Sequence, residues 1–277
     1  MKELVTPHGN IHYEETGHGP AIVFLHSALA DHRQWFEQVE ALSHDYRCIT
    51  YDLLGYGASG NAPDHYDPVD TLMTLLNHME LTSVTLVGSS LGGSISIHAA
   101  VRYPQRIRSL VLAGTGLFGF QPELNTPEPF IYGEYEAALA RHDADRLVDL
   151  AEHIWLLGIP GHQQHVTEAN RQLFRTMYRE FLENHRNAPD YQEMDDTEAL
   201  RDLNVPVYVV IGENDTAFCL AVADYLGHTL PQATIFRMSD AAHFPNLSKP
   251  QEVNQLLIKW LRQQEDKNII AMFSRRA

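Results

Sequence analysis

Cysteine is nearly absent: the 277 residues hold two, Cys48 and Cys219. They supply neither a disulfide framework nor the paired spacing of a zinc site. Cys48 falls inside the apolar run "YRCITYD", where a thiol packs as a small hydrophobe. Long apolar runs are missing too, and no stretch approaches the roughly 18 consecutive apolar residues of a membrane helix. The opening "MKELVTPHGNIHYEETGHG" lacks the apolar centre of a signal peptide and reads as a strand hairpin, so a cytoplasmic protein is expected. Cations are scarce: 20 Lys and Arg face 36 Asp and Glu, for a formal net charge of −16. That balance excludes nucleic acids and anionic membranes as partners, because neither would be attracted. No lysine stands near the glycine-rich run "VGSSLGG", so the phosphate-loop pattern G-x-x-x-x-G-K-S/T is ruled out. "GSSLGG" does not match the dinucleotide fingerprint G-x-G-x-x-G either.

What is present is an alternation. Short apolar runs such as "AIVFLH", "RCITYD", "SVTLVGS" and "RIRSLVLAG" read as strands buried on both faces. Between them, "QWFEQVEAL", "PVDTLMTLLNHM" and "LGGSISIHAAVRYP" carry helical spacing. Strand and helix in turn predict a parallel sheet covered on both faces. The rhythm stops after "LVLAGTGLFGF". Residues 119–200 hold helical patterns alone and 16 acidic against 6 basic residues. The strand "VPVYVVIG" then resumes at 205, followed by a helix, the strand "ATIFRM" and a last helix. The expected organisation is an α/β core of 1–118 and 201–277, with 119–200 inserted as a helical cap over the carboxyl edge of the sheet. The tail "NIIAMFSRRA" is apolar then basic and fits packing or a partner contact.

The chemistry centres on "VGSSLGGS", between a strand and a helix. A nucleophile raised on a sharp strand-to-helix turn needs small residues two before and two after it. Ser90 has Gly88 and Gly92 there; Ser89 would have Val87 and Leu91. Ser90 is therefore the candidate nucleophile. A serine hydroxyl needs a histidine base, itself oriented by a carboxylate. His243, in "SDAAHFPNLSKP", follows the last strand at the carboxyl edge. His153, His162, His165 and His185 fall in the inserted segment, His228 ends a helix, and His98 lies within the helix after Ser90. His26 ends an early strand near the same edge; it is the rival base, read as a hydrogen-bonding group near the oxyanion site. Asp215, in "VVIGENDTAF", lies just past a strand at that edge, with Glu213 as its competitor. Asp240 is read as a turn residue. The resulting chain order, Ser90 then Asp215 then His243, runs nucleophile, acid, histidine. The backbone N–H of Leu91 starts the elbow helix and points to where an oxyanion develops. A second donor is expected from "SALADHRQW".

"GPAIVFLHSALADHRQW", "YDLLGYGASG", "LVGSSLGGSISIHAAVRYPQRIRSLVLAG", "VPVYVVIGENDT" and "AAHFPNLSKPQEVNQLLIKWL" together resemble the α/β-hydrolase superfamily over nearly the whole chain. Within it the chain is similar to small bacterial capped esterases, enol-lactonases and meta-cleavage C–C hydrolases. The resemblance implies an α/β-hydrolase fold with a mostly parallel eight-stranded sheet. It implies Ser90, Asp215 and His243 as the triad, and Ala28 and Leu91 as the oxyanion-hole donors. The expected hydrolase uses no cofactor and no metal. One departure stands out: the family's His-Gly is His26-Ser27 here, so Ser27 would be strained or the loop would take another path. Haloalkane dehalogenases and epoxide hydrolases resemble the chain but carry aspartate at the elbow.

The expected function is hydrolysis of a small, fairly apolar carboxylic ester or lactone through an acyl-enzyme. The alternatives are C–C bond hydrolysis and cofactor-free perhydrolysis by the same triad. A fold serving as a ligand sensor without turnover is a further reading. The acidic insert disfavours a dicarboxylate substrate, weakly, since surface charges are screened beyond ~8 Å. His26, Ser27, Trp155, Phe218 and Phe244 are the candidate substrate contacts; core packing is as good a reading for the last three. The sequence leaves monomer and homodimer equally open.

Overall fold

The structure is a computed structural model that describes residues 1–124, 129–158, 166–184, 191 and 194–274, with side chains described as far as 267. Eight strands form one sheet in the order β1-β2-β4-β3-β5-β6-β7-β8. A hairpin of β1 (Lys2–Thr6) and β2 (Gly9–Thr16) adds to the edge antiparallel to β4 (Arg47–Tyr51). From there β3 (Ala21–Leu25), β5 (Val84–Ser89), β6 (Ile107–Ala113), β7 (Val207–Gly212) and β8 (Thr234–Met238) run parallel.

The parallel strands read as unbroken apolar runs because both faces are covered. Their side chains alternate between two layers. Val23, Leu25, Leu86, Leu110, Leu112, Val209 and Ile211 pack toward α2 (Pro68–His78), α3 (Leu91–Arg102) and α7 (Ala217–Thr229). Ile22, Phe24, Val87, Val111, Tyr208 and Val210 pack on the other face with Leu257, Trp260 and Leu261. That second face is covered by α1 (Phe36–Leu42) and α9 (Pro250–Ser274), which follows the single turn of α8 (Pro245–Ser248). The tail "NIIAMFSRRA" has helical backbone to Ser274; residues 275–277 and the side-chain contacts expected for the tail lie outside the described residues.

Between β6 and β7 the described residues contain helices and no strand: α4 (Phe130–Ala140), α5 (Ala144–Ala151) and α6 (Glu168–Asn184). α4 and α5 are separated by a sharp break. His142 takes a left-handed φ of 54°, and the Asp143 carboxylate accepts from Arg146 N, capping the new helix. A single π-turn, Glu152–Leu156, ends α5. The three helices bury their own apolar layer, including Leu147, Leu150, Ile154, Phe174, Met177 and Tyr178, together with Ala30, Phe244 and Leu247 of the core. Polar ties fix the insert to the core. Asn170 Nδ2 donates to Glu37 Oε1 and to the Leu247 carbonyl, each at 2.8 Å, and Arg33 bridges Asp31 to Glu180 of α6.

Parallel strands bring their carboxyl ends to one edge. The chain crosses from β4 over β3 to β5, which opens a crevice between the loops after β3 and β5. Five segments meet along that edge: His26–Asp31, Ser90, Gly114, Asp215 and His243.

Candidate active site

The turn from β5 into α3 is strained in one place. Ser90 sits at φ 51°, ψ −114°, a backbone conformation that costs a non-glycine residue about 1–3 kcal/mol. Three backbone bonds hold it: Ser90 N donates to Ala113 O (3.1 Å), and Ser90 O accepts from Ser94 N (3.0 Å) and Gly116 N (3.3 Å). The flanking glycines are demanded by close approach. A Cβ on Gly88 would lie 2.4 Å from the Gly92 carbonyl oxygen, and one on Gly92 would lie 2.3 Å from that of Leu25. The turn thus packs against the end of β3, and only hydrogen fits at both positions. Ser90 is half-buried; Ser89 is wholly buried in the strand, its hydroxyl without a partner.

Asp215 and His243 arrive from β7 and β8. Glu213 N donates to Met238 O and Asn214 N to Ala241 O (both 3.0 Å), which locks the two loops together. Asp215 turns inward and is buried, whereas Glu213 is exposed. His243 Nδ1 donates to Asp215 Oδ1 at 2.8 Å, and Thr216 N donates to the same oxygen at 2.6 Å. With Nδ1 carrying the proton, Nε2 is the free base. Burial works against the imidazolium, but the Asp215 carboxylate first, and the neighbouring Cys219 sulfur second, outweigh it and hold the His243 pKa well above its usual 6.5. His243 N donates to the Trp155 carbonyl (3.0 Å), so the insert grips the histidine loop directly.

Gly114 measures how close these groups are to the elbow. It follows Ala113, the acceptor of Ser90 N, and a Cβ there would lie 3.0 Å from both His243 Nδ1 and Asp215 Oδ2. The structure thus joins Asp215 to His243 by a hydrogen bond and sets Ser90 one backbone bond away on the neighbouring strand. Ser90 Oγ itself makes no hydrogen bond to His243. Such bonds commonly tighten only when substrate is bound.

His26, the rival base, is wholly buried with both ring nitrogens engaged. Nδ1 donates to Ser27 O (2.8 Å) and Nε2 accepts from Leu53 N (3.0 Å). Burial lowers its pKa, so it is a neutral strut. Ser27 takes no left-handed conformation. Its N–H donates to Gln34 Oε1 (3.0 Å), its carbonyl accepts from Ala30 N (3.2 Å), and its hydroxyl accepts from Leu29 N (3.2 Å). The serine therefore takes the other path, knitting the loop through its own side chain. Among the described residues the N–H groups of Ala28 and Leu91 have no protein acceptor.

His98 bonds Asp196 Oδ1 (2.8 Å), and Asp240 occupies a left-handed turn. His153 Nδ1 donates to the Asp149 carbonyl; His162, His165 and His185 lie outside the described residues.

A cavity of about 900 Å³ opens between the insert and the core, with Ala28, Leu29 and Tyr56 on the core side. The insert contributes Tyr135, Tyr178, Phe181 and Leu182 among others. None of His26, Ser27, Trp155, Phe218 or Phe244 is among its described lining. Phe244 is wholly buried, edge-on to His243 (5.3 Å) and Phe174 (5.2 Å). Trp155 packs edge-on to Tyr135 (5.0 Å), and Phe218 lies beside Phe120 (6.4 Å).

Among the described residues, two buried groups carry metal-ligand side chains. Asp31, His32 and Asp52 form one, but the Asp52 carboxylate is occupied by His32 N, His32 Nδ1 and Ala58 N, each at 2.8 Å. The other is Asp215, Cys219 and His243, with donor atoms within 4.8 Å of one another. Cys219 is placed there by the helix that Asp215 introduces, a neighbour that its spacing in the sequence did not reveal.

The sheet order, the elbow and the loops at its carboxyl edge define an α/β hydrolase. The model for the alpha/beta hydrolase fold matches residues 20–250, and the chain belongs to that family. It is 23% identical over 300 residues to bifunctional epoxide hydrolase 2 of Sus scrofa, covering 93% of this chain and 54% of that protein. The chain thus spans about half the length of the first curated relatives it matches. It is 24% identical over 245 residues to 3-oxoadipate enol-lactonase 2 of Acinetobacter baylyi, covering 85% and 86% of the two chains. Among solved structures, a carboxylesterase of the thaumarchaeon Nitrososphaera gargenis superposes with a TM-score of 0.77 at 19% identity, covering 96% of this chain and 100% of that one. Among the described residues no helix is long and apolar enough to cross a membrane.

Proposed function

We propose that the chain is a serine hydrolase of a small, fairly apolar carboxylic ester or lactone, with residues 119–200 serving as a cap over its site. The observation that carries this reading is the left-handed Ser90 turn beside the hydrogen-bonded Asp215–His243 pair. Ser90 Oγ attacks the carbonyl carbon and gives its proton to His243 Nε2, while Asp215 holds Nδ1–H. The N–H groups of Ala28 and Leu91 take up the oxyanion, each such donor being worth about 10²–10³ in rate. The C–O bond then breaks; the leaving alkoxide takes the proton from Nε2, and Ser90 is left acylated. Water adds to the acyl carbon, giving a proton to Nε2, and collapse returns that proton to Ser90 as the acid departs. Serine at the elbow supports an ester reading over the epoxide chemistry named for the porcine relative. Ser90→Ala tests it: hydrolysis of short p-nitrophenyl esters is expected to vanish in a folded protein. Unchanged turnover in that variant would refute the reading.

A further inference from the structure

Tyr135 of α4 and Tyr178 of α6 meet at their hydroxyl oxygens, which are hydrogen-bonded to each other. Burial raises both phenol pKa values, so both hydroxyls keep their protons at neutral pH. Each phenol owns one O–H. In the pair, one proton is spent between the two oxygens and the other is left over. Neither hydroxyl has a further partner among the described residues, and both tyrosines line the cavity beside Ala28. A buried donor without an acceptor is costly, so the spare O–H seeks one from whatever fills that space.

The rest of the cavity restricts what that acceptor is. Tyr56, Phe181 and Tyr178 present nearly parallel rings: Tyr56 and Phe181 lie 4.9 Å apart at 12°, and Tyr178 and Phe181 lie 6.2 Å apart at 13°. These faces suit an apolar chain or ring. No Lys or Arg is among the described lining residues; the titratable groups there besides the tyrosines are Glu183 and the exposed His142. A carboxylate on the substrate would therefore lose its hydration beside Glu183 without gaining a lysine or arginine partner. The cavity that the pair lines reaches Ala28, the expected oxyanion donor. Tyr178 reaches His243 through Phe174 and Phe244, with successive ring centroids 6.4, 5.2 and 5.3 Å apart.

We propose that the Tyr135–Tyr178 hydroxyl pair selects uncharged substrates whose apolar portion carries a single oxygen acceptor, an ether, ketone or hydroxyl, within reach of the spare O–H. The assignment rests on the ester-hydrolase reading above and names the substrate class for it. Tyr135 and Tyr178 act on specificity, not on bond cleavage.

The test uses p-nitrophenyl esters of one chain length. One series is plain alkyl, a second has an ether oxygen walked along the chain, and a third ends in a carboxylate. Each kcat/KM is divided by the ester's own rate with hydroxide. In the wild type, at least one ether position is expected to exceed its alkyl counterpart by about 3- to 10-fold, the effect of one neutral hydrogen bond. The carboxylate ester should be the poorest. Tyr135→Phe and Tyr178→Phe each leave one hydroxyl able to donate, so each should keep part of the preference. The double variant should bring the ether-to-alkyl ratio to about 1, a change that a purely structural pair would not produce. Because a ratio is read within each protein, reduced stability, followed by thermal melting, does not obscure it. Ester turnover without an ether preference, a preference surviving in the double variant, or a favoured carboxylate ester would overturn the assignment and leave the hydrolase reading intact. Failure of every ester, with no fluorophosphonate labelling of Ser90, would overturn both.

Discussion

Replacing Asp215 with asparagine separates the charge of the acid from its geometry. Asp215 Oδ1 accepts from both His243 Nδ1 (2.8 Å) and Thr216 N (2.6 Å), whereas Oδ2 has no partner. In Asp215→Asn the amide oxygen should therefore occupy the Oδ1 position, since an NH₂ there would face two donors. The imidazole keeps its tautomer, and what is lost is the charge. The charge centres of such a pair are about 4 Å apart, so the attraction for a developing imidazolium is about 4 kcal/mol at an effective dielectric constant of about 20. That corresponds to a roughly 10³-fold fall in kcat; a tautomer reversal would cost about 10⁴. The pH profile gives a second reading. A raised His243 pKa means that the free enzyme loses its base as pH falls through a midpoint above 6.5. In Asp215→Asn that acidic limb should move to lower pH, because the main group favouring the imidazolium has gone while only Cys219 remains. The assay is p-nitrophenyl ester hydrolysis across pH, with circular dichroism as the control for folding. A fall of less than tenfold, or an acidic limb that does not move, would refute the assignment of Asp215 as the charged partner of the base.

Gly92→Ala is expected to destabilise the fold by about 3 kcal/mol or more, because its Cβ would lie 2.3 Å from a backbone oxygen of β3. Thermal melting should show a drop of roughly 6–12 °C; a melting point within 2 °C of wild type, or about that, would contradict the packing of the elbow. Glu152 is buried and bonded to Arg171 Nε (2.6 Å) and Arg175 Nη1 (2.7 Å), which joins α6 to the π-turn. Glu152→Ala should cost about 2 kcal/mol, or roughly 4–8 °C in the same measurement. An unchanged melting temperature would show that this link adds nothing to the insert.

Where each residue lies along the chain made much of the edge legible. Strands such as "AIVFL" and "VTLVGS" could be read because burial on both faces removes polar residues. Ser90 stood out because only glycine fits on either side of it. Asp215 and His243 followed from their places just past strands, since parallel strands deliver such residues to one edge. The cavity wall was not legible. Tyr135, Tyr178 and Phe181 sit on amphipathic helices, and periodicity tells which side of a helix is apolar without telling whether it faces core or cavity. Phe244 lies edge-on to His243, and Trp155 packs its ring on Tyr135 while its carbonyl accepts from His243 N, neighbours that periodicity alone does not reveal. The approach of Cys219 to Asp215 and His243 depends on the pitch of α7, which no spacing in the sequence displays. Ser27 differs again: it takes no left-handed conformation, and its hydroxyl accepts from Leu29 N within the loop.

Catalysis by this site requires Ser90 to be a nucleophile made reactive by its neighbours. Treatment with a fluorophosphonate, followed by peptide mass spectrometry, tests this most directly. One adduct is expected, on Ser90 within "VGSSLGGS", with labelling absent in Ser90→Ala and sharply slowed in His243→Ala. Labelling of Ser89 instead, or no labelling of a folded protein that still hydrolyses esters, would contradict it.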